Sequence, residues 1–159
     1  MNFERPTYNR GYRDDRRSDS GNELNENLKP IKESADLGLI TIESIAKPDG
    51  IAEKVAKQLK NDRSKLNTTQ LRKYFDTIIK IKEKISESGW EAAQSDYYML
   101  YPTLAYAKGR GTIPENFYSF CTLCLDKIPS KKGDEASAEN FNKFVSIMES
   151  LVAYSKYYE

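Results

Sequence analysis

A row of basic side chains in the middle of the chain is the strongest candidate for chemistry. At about 100° per residue, Lys73, Lys80 and Lys84 fall on one line of a helix, with Arg72 on its flank. Lysine acts as a point charge that needs no base identity, so such a row can follow the phosphates of a nucleic acid. The spacing therefore predicts sequence-independent binding. A plain solvated face is the alternative that stays open, because the intervening flank carries two acidic ion-pair partners, Asp76 and Glu83.

Two further basic groups accompany this row. Lys108 and Arg110 follow an apolar segment, where a helix carboxyl end favours cations, and Gly109 between them is most simply a helix cap. Glycine neighbours would also let Arg110 approach a phosphate or a base edge closely. Lys54 and Lys57 lie opposite the apolar side of an earlier helix. The helical wheel alone makes Lys54, Lys57, Lys80 and Lys84 candidate phosphate contacts.

The distribution of charge supports a polyanionic partner. The net charge is only +1, yet residues 1–50 hold 8 basic and 10 acidic groups, residues 51–110 hold 12 and 7, and residues 111–159 hold 5 and 7. The middle third therefore carries the whole positive excess. Clustered cations attract polyanions even when the protein as a whole is nearly neutral, and nucleic acid is the obvious candidate.

The residue types give no case for an enzyme. The chain has no histidine, which excludes an imidazole base and a histidine zinc site. Cys121 and Cys124 form a CxxC inside an amphipathic segment with no second cysteine or histidine pair, and we interpret them as buried structural thiols. Packing is also the favoured interpretation of Tyr97, Tyr98 and Tyr101, which could otherwise stack on bases. Without a phosphate loop, paired acids or an activated nucleophile, we expect no catalysis, no cofactor and no metal.

Length and hydropathy indicate one domain that does not enter a membrane. A chain of 159 residues and 18.3 kDa suits a single ordinary domain. It contains no run of eighteen apolar residues, and the first fifteen residues lack the apolar centre of a signal peptide. We therefore expect a soluble cytoplasmic protein without membrane contact.

Apolar periodicity predicts an all-α fold. About five helices are expected, over residues 51–60, 67–85, 90–109, 114–128 and 137–159. Asn67, Pro114 and Ser137 are the start signals. Pro102 should kink or restart the third helix. The segment 37–46 fits either a strand or a short amphipathic piece. Residues 1–35 are polar and lack an apolar period, which predicts a disordered tail. The expected architecture is thus a disordered tail over residues 1–35 and a compact helical bundle over residues 36–159.

Three stretches in this order resemble one known family. They are LNTTQLRKYF at residues 66–75, LYPTLAYAKGR at residues 100–110 and the ending FVSIMESLVAYSKYYE. Together they resemble the small helical subunit of type III-A CRISPR effector complexes, the Csm ribonucleoproteins. The resemblance covers roughly residues 48–158. Residues before 36 match nothing in it.

The resemblance implies a non-catalytic subunit that stacks in several copies along the complex and helps to hold the target RNA paired with the guide RNA. Its motifs make Arg72, Lys73, Lys108 and Arg110 the expected RNA-phosphate contacts, although small residues are common at the position of Lys108. The implied partners are guide RNA, single-stranded target RNA, the other subunits of the complex and further copies of the chain, with a homodimer plausible in isolation. A helical module that contacts only protein is the alternative hypothesis.

Overall fold

The computed structural model describes residues 15–62 and 66–159, and this part of the chain is built from helices. Nine α-helices and one 3₁₀ turn are present there, and seven of the helices have at least nine residues. Their bounds are α1 Asp15–Asn27, α2 Lys29–Glu33, the 3₁₀ turn Leu37–Leu39, α3 Ile42–Ala46, α4 Ile51–Asn61, α5 Thr68–Ser88, α6 Trp90–Tyr98, α7 Leu100–Gly109, α8 Glu115–Asp126 and α9 Asp134–Tyr157.

The all-α prediction is confirmed. More helices are present than the five expected, because three helices precede Ile51 and the segment 90–109 is divided in two. The division falls at Met99, so Pro102 lies in the first turn of α7, where a missing N–H costs no internal hydrogen bond. Pro102 thus marks the restart of a helix. The segment 37–46 adopts the 3₁₀ turn and α3, which resolves the predicted alternative in favour of the helical form.

Residues 15–33 differ from the predicted disordered tail. They form α1 and α2, and Leu24, Leu28 and Ile31 are buried in the common core. Leu24 lies in α1, Leu28 between the two helices and Ile31 in α2, and burial against α4 and α8 offsets the entropy of ordering them. The first 14 residues of the predicted tail lie outside the described residues.

Helix α9 runs through the centre of the bundle. It packs against α3, α4, α5, α6 and the 3₁₀ turn, and its buried residues occupy a broad face. Asn140 joins that face to the turn: its side chain accepts a hydrogen bond from Gly38 N at 2.8 Å and donates one to Ile128 O at 2.9 Å. A Cβ atom on residue 38 would lie 2.8 Å from Asn140 Oδ1, so this close approach requires glycine.

The starts of the long helices follow the predicted signals in part. The side chain of Asn67 accepts a hydrogen bond from Thr69 N at 2.8 Å and caps α5, as predicted. Pro114 occupies the N-cap of α8 rather than the first helical position. Ser137 was expected to cap the last helix, but α9 begins at Asp134, and the Ser137 hydroxyl accepts a hydrogen bond from Ser130 N at 2.9 Å. It thereby ties the preceding loop to the helix.

Cys121, Cys124 and Tyr97 in the middle of the bundle serve packing, as predicted, whereas Tyr98 is 49% exposed. Cys121 and Cys124 are free thiols without solvent exposure, and burial raises the pKa of both. Tyr97 is fully buried and donates a hydrogen bond to Leu125 O at 2.6 Å, and its burial raises its pKa to about 12. Tyr101 donates to Asp126 Oδ1 at 2.7 Å. These hydroxyls join α6 and α7 to α8.

Candidate nucleic-acid interface

Helix α5 has one buried and one basic side. Its buried residues recur at helical spacing and pack on α6 and α9, and they are Leu71, Tyr74, Ile78, Ile81 and Ile85. Lys73, Lys80 and Lys84 are all exposed and lie on the opposite side of the same helix. The predicted row therefore exists, and the packing of α5 holds it in one line. We call Lys73, Lys80 and Lys84 the α5 row.

The members of the α5 row differ in their ionic partners. Lys84 forms an ion pair with Asp96 of α6, with Nζ 2.7 Å from Oδ2, and each side chain is about half exposed. Among the described residues, Lys73, Lys80 and the neighbouring Arg72 take part in no ion pair. The row thus presents two unneutralised ammonium groups beside a third whose charge is balanced.

The antiparallel arrangement of α5 and α6 creates this ion pair. A single residue, Gly89, connects the two helices and has a φ of 86°, which favours glycine. The chain therefore reverses at once, and the first residues of α6 pack beside the last residues of α5. Asp96 is consequently brought next to Lys84, twelve positions earlier in the sequence.

The end of α7 carries the second predicted basic group. Lys108 Nζ lies 2.5 Å from Glu115 Oε2 and 4.4 Å from the ring centroid of Tyr118, so its charge is already satisfied. Arg110 is exposed, and its guanidinium lies 5.6 Å from the ring centroid of Tyr106, whose hydroxyl it also contacts at 3.1 Å. Arg110 is therefore the freer of the two cations.

Gly109 does not act as the predicted cap. It is the last residue of α7, and Arg110 after it retains helical backbone angles. The left-handed residue is Gly111, with a φ of 72°. Gly111 therefore supplies the helix cap that the sequence assigned to Gly109, because of these two residues only Gly111 has a positive φ.

Contacts through α8 connect the α7 end to the first half of α5. The Tyr74 ring packs edge-on against Phe117 with centroids 6.1 Å apart. The next residue along α8, Tyr118, holds Lys108. Arg72 and Lys73 immediately precede Tyr74 on α5. Helix α8 therefore contacts both the part of α5 that carries these two cations and the segment with Lys108 and Arg110.

The lysines of α4 belong to a different part of the surface. This helix packs against α1, α3 and α9, and its exposed side is a narrow stripe with Lys54, Lys57 and Lys60. Lys57 Nζ lies 3.8 Å from Glu53 Oε1, and contact with Tyr158 raises the pKa of Lys57. Within the described residues Lys54 has no ion pair. The structure does not place Lys54 and Lys57 in the α5 row.

The Glu53 carboxylate stabilises this part of the bundle. It is buried and accepts hydrogen bonds from Tyr158 Oη at 2.5 Å and from Asp49 N at 2.6 Å. The bond from Tyr158, followed by that from Asp49, lowers the pKa of the Glu53 carboxyl. The carboxylate thus fixes the start of α4 to Tyr158, the residue that follows α9, and balances part of the charge on Lys57.

A family model described as Csm2 Type III-A matches residues 43–159. The chain belongs to this family. The recognition made from the three sequence stretches is thereby confirmed. Comparisons with curated proteins and with solved structures find no match.

Membership of the Csm2 family makes this chain a subunit of the type III-A CRISPR complex, associated with other Csm subunits. Csm2 is a structural subunit family of that effector. The matched region contains α4 to α9 and every predicted contact residue, whereas α1 and α2 precede it. Among the described residues, no helix has both the length and the apolar character needed to cross a membrane.

Two residues of interest in this Csm2 chain, Tyr106 and Met99, were not indicated by the sequence. Lys60 shares the polar side of its helix with Lys54 and Lys57, as the sequence indicates, but is not among the predicted contacts. Tyr106 is 66% exposed and supports Arg110, four positions later on a helix. Met99 is 61% exposed, and no periodic signal could indicate this because it lies at the junction of two helices.

Proposed function

We propose that this Csm2 chain is a non-catalytic subunit that binds the sugar-phosphate backbone of RNA. The supporting observation is the exposure of Arg72, Lys73 and Lys80 on α5 without an ionic partner among the described residues. Arg110 after α7 is the fourth proposed contact. Because free ammonium and guanidinium groups replace counterions on phosphates without reading bases, binding is independent of sequence.

The remaining predicted residues have a secondary role in this proposal. The charges of Lys84, Lys108 and Lys57 are balanced by carboxylates, those of Asp96, Glu115 and Glu53. An ammonium group in an ion pair must give up that partner before it can contact a phosphate, which reduces its net contribution. Lys54 is free among the described residues but lies on α4, where it would contact a different stretch of RNA or none.

In the assembled complex, the proposed ligands are the guide RNA and the single-stranded target RNA paired with it. Several copies of the chain would stack along this duplex in the cytoplasm, so that weak contacts of single copies add up. The chain alone would bind RNA poorly. No bound cofactor is required for this role.

Charge removal in the assembled Csm complex tests the proposal. The variant Arg72→Ala, Lys73→Ala, Arg110→Ala should weaken target-RNA capture and reduce the slope of log affinity against log salt by about two for each copy that contacts RNA. The control variant removes three exposed lysines outside α5 and α7, Lys29→Ala, Lys47→Ala and Lys131→Ala, although Lys29 and Lys47 pair with Glu33 and Glu43. Equal capture and equal slopes for the two triple variants would contradict the proposal.

A module that contacts only protein is the second candidate function. It is favoured by large apolar side chains exposed on the described surface, namely Leu39, Ile42, Tyr98, Met99, Tyr106 and Tyr157. Crosslinking within the assembled complex separates the two functions. Crosslinks from this subunit to RNA support the first, and crosslinks to protein alone support the second.

A further inference from the structure

An open groove of about 390 Å³ lies between α5 and the junction of α6 with α7. Its α5 wall contains Thr77 and Lys80, which places it along the α5 row. Its opposite wall contains Met99 and Thr103. A ligand in this groove would therefore lie directly beside the proposed phosphate contacts.

The groove has an apolar base and an apolar rim. Ile81 and Leu100 line its inner part and are almost fully buried. Met99 lines the rim with 61% of its surface exposed. The methionine side chain is flexible and polarizable and makes favourable contacts with aromatic rings of different shapes. These properties suit a flat aromatic ligand whose identity varies.

The polar groups that line the groove are the ammonium groups of Lys80 and Lys84, the Asp96 carboxylate and the hydroxyls of Thr77 and Thr103. The Thr77 hydroxyl donates to Lys73 O at 3.1 Å and the Thr103 hydroxyl donates to Met99 O at 2.8 Å, so both oxygens face a ligand as acceptors only. Lys84 at the same wall is paired with Asp96. Of the described residues lining the groove, Lys80 is thus the cation without an ionic partner.

Charge and shape together select one class of ligand. An anion alone would not use the apolar rim, and an apolar peptide would leave the Lys80 ammonium without a partner. A nucleotide uses both, because its phosphate pairs with an ammonium group and its base offers an aromatic face. An exocyclic amine of the base could donate to a threonine oxygen.

We propose that this groove binds one unstacked base of single-stranded RNA, with Met99 against the base and Lys80 on its phosphate. The inference rests on the proposed function and adds a contact with a base to contacts with the backbone. Because every base has an aromatic face, this contact tolerates all sequences.

The three methionines of the chain allow a direct test. The full chain, labelled with ¹³C at the methionine methyl groups, is titrated with an oligoribonucleotide and with an abasic oligomer of the same length. The Met99 methyl signal should move with the base-containing oligomer because of the ring current and should move much less with the abasic one. Met148 is fully buried in the core and serves as the internal control.

Affinities of the same two oligomers give a second readout. Wild type should bind the abasic oligomer at least about fivefold more weakly, and Met99→Ala should lose most of that difference. Leu39→Ala is the matched control, because Leu39 is equally exposed at 62% but lies on the 3₁₀ turn. It should retain the full difference.

The outcomes separate this inference from the proposed function. If Lys80→Ala weakens the binding of both oligomers but the Met99 methyl signal responds to neither oligomer, or to both equally, the groove does not bind a base. The proposal of backbone binding then stands. If neither oligomer shifts Met99 and the Arg72, Lys73 and Arg110 variant captures target RNA normally in the complex, both proposals are overturned.

Discussion

Replacing Asp96 by asparagine should strengthen RNA binding. The Asp96 carboxylate lies 2.7 Å from Lys84 Nζ and balances its charge. Asparagine keeps the size of the side chain but removes the charge, so Lys84 becomes a further free cation in the α5 row. Each added phosphate contact steepens the slope of log affinity against log salt by about 0.7 for single strands. The affinity of Asp96→Asn relative to wild type should therefore be about two- to threefold larger at 50 mM than at 200 mM salt.

The cost of this substitution in folding stability is small. Ion pairs between half-exposed side chains contribute about 0.2–1 kcal/mol, so the melting temperature should fall by no more than about 4 °C. Fluorescence anisotropy of labelled RNA over a salt series measures the affinity. Glu91→Gln is the matched control, because it removes one negative charge from the same helix at an exposed residue without a described ionic partner. If both variants give the same affinities and slopes, the reasoning about Lys84 is refuted.

Two further substitutions test the packing that holds the surface. Gly38→Ala places a Cβ atom 2.8 Å from Asn140 Oδ1 and should lower the free energy of unfolding by about 1–3 kcal/mol, measured by chemical denaturation. Gly21 has open space around it, so the control Gly21→Ala should not lower the free energy of unfolding. Tyr158→Phe removes the hydrogen bond that lowers the pKa of Glu53, whose folded pKa is then closer to its unfolded value. A carboxyl group whose pKa is lower in the folded than in the unfolded protein stabilises the fold at pH values above the unfolded pKa. This stabilisation is lost as the pH falls through the folded pKa. In thermal melts, wild type should therefore be more stable than Tyr158→Phe near neutral pH, and this difference in stability should shrink in acid. A stability difference that grows in acid would contradict the stabilising role of the Tyr158–Glu53 hydrogen bond.

Helix positions followed from local signals where those signals were strong. Helices α4 and α5 have long apolar stripes and recognisable starts, and the sequence predicted both to within a few residues. Helices α1 and α2 were missed because their three buried residues, Leu24, Leu28 and Ile31, stand in a polar sequence. Burial of these residues depends on α4 and α8, which no local window of sequence contains.

The candidate interface was predictable in its cations but not in their partners. Periodicity placed Lys73, Lys80 and Lys84 on one exposed line, which depends only on helix geometry. The ion pair of Lys84 with Asp96 depends on the reversal at Gly89, and the pair of Lys108 with Glu115 depends on the turn between α7 and α8. Both ion pairs are tertiary contacts, so a helical wheel of one segment could not show which cations are free and which are balanced.

This separation between free and balanced cations is what allows us to propose RNA binding for a chain of net charge +1. The acidic groups are not distributed evenly around the basic ones: Asp96 and Glu115 neutralise lysines at two helix junctions, while Arg72, Lys73 and Lys80 have no such partner among the described residues. Under the proposed function, a few free cations per copy would give weak, salt-sensitive RNA binding, which repetition of the subunit would strengthen. If the proposed function holds, strong binding by a single copy would be a disadvantage, because an unassembled subunit would then bind any cellular RNA that it met.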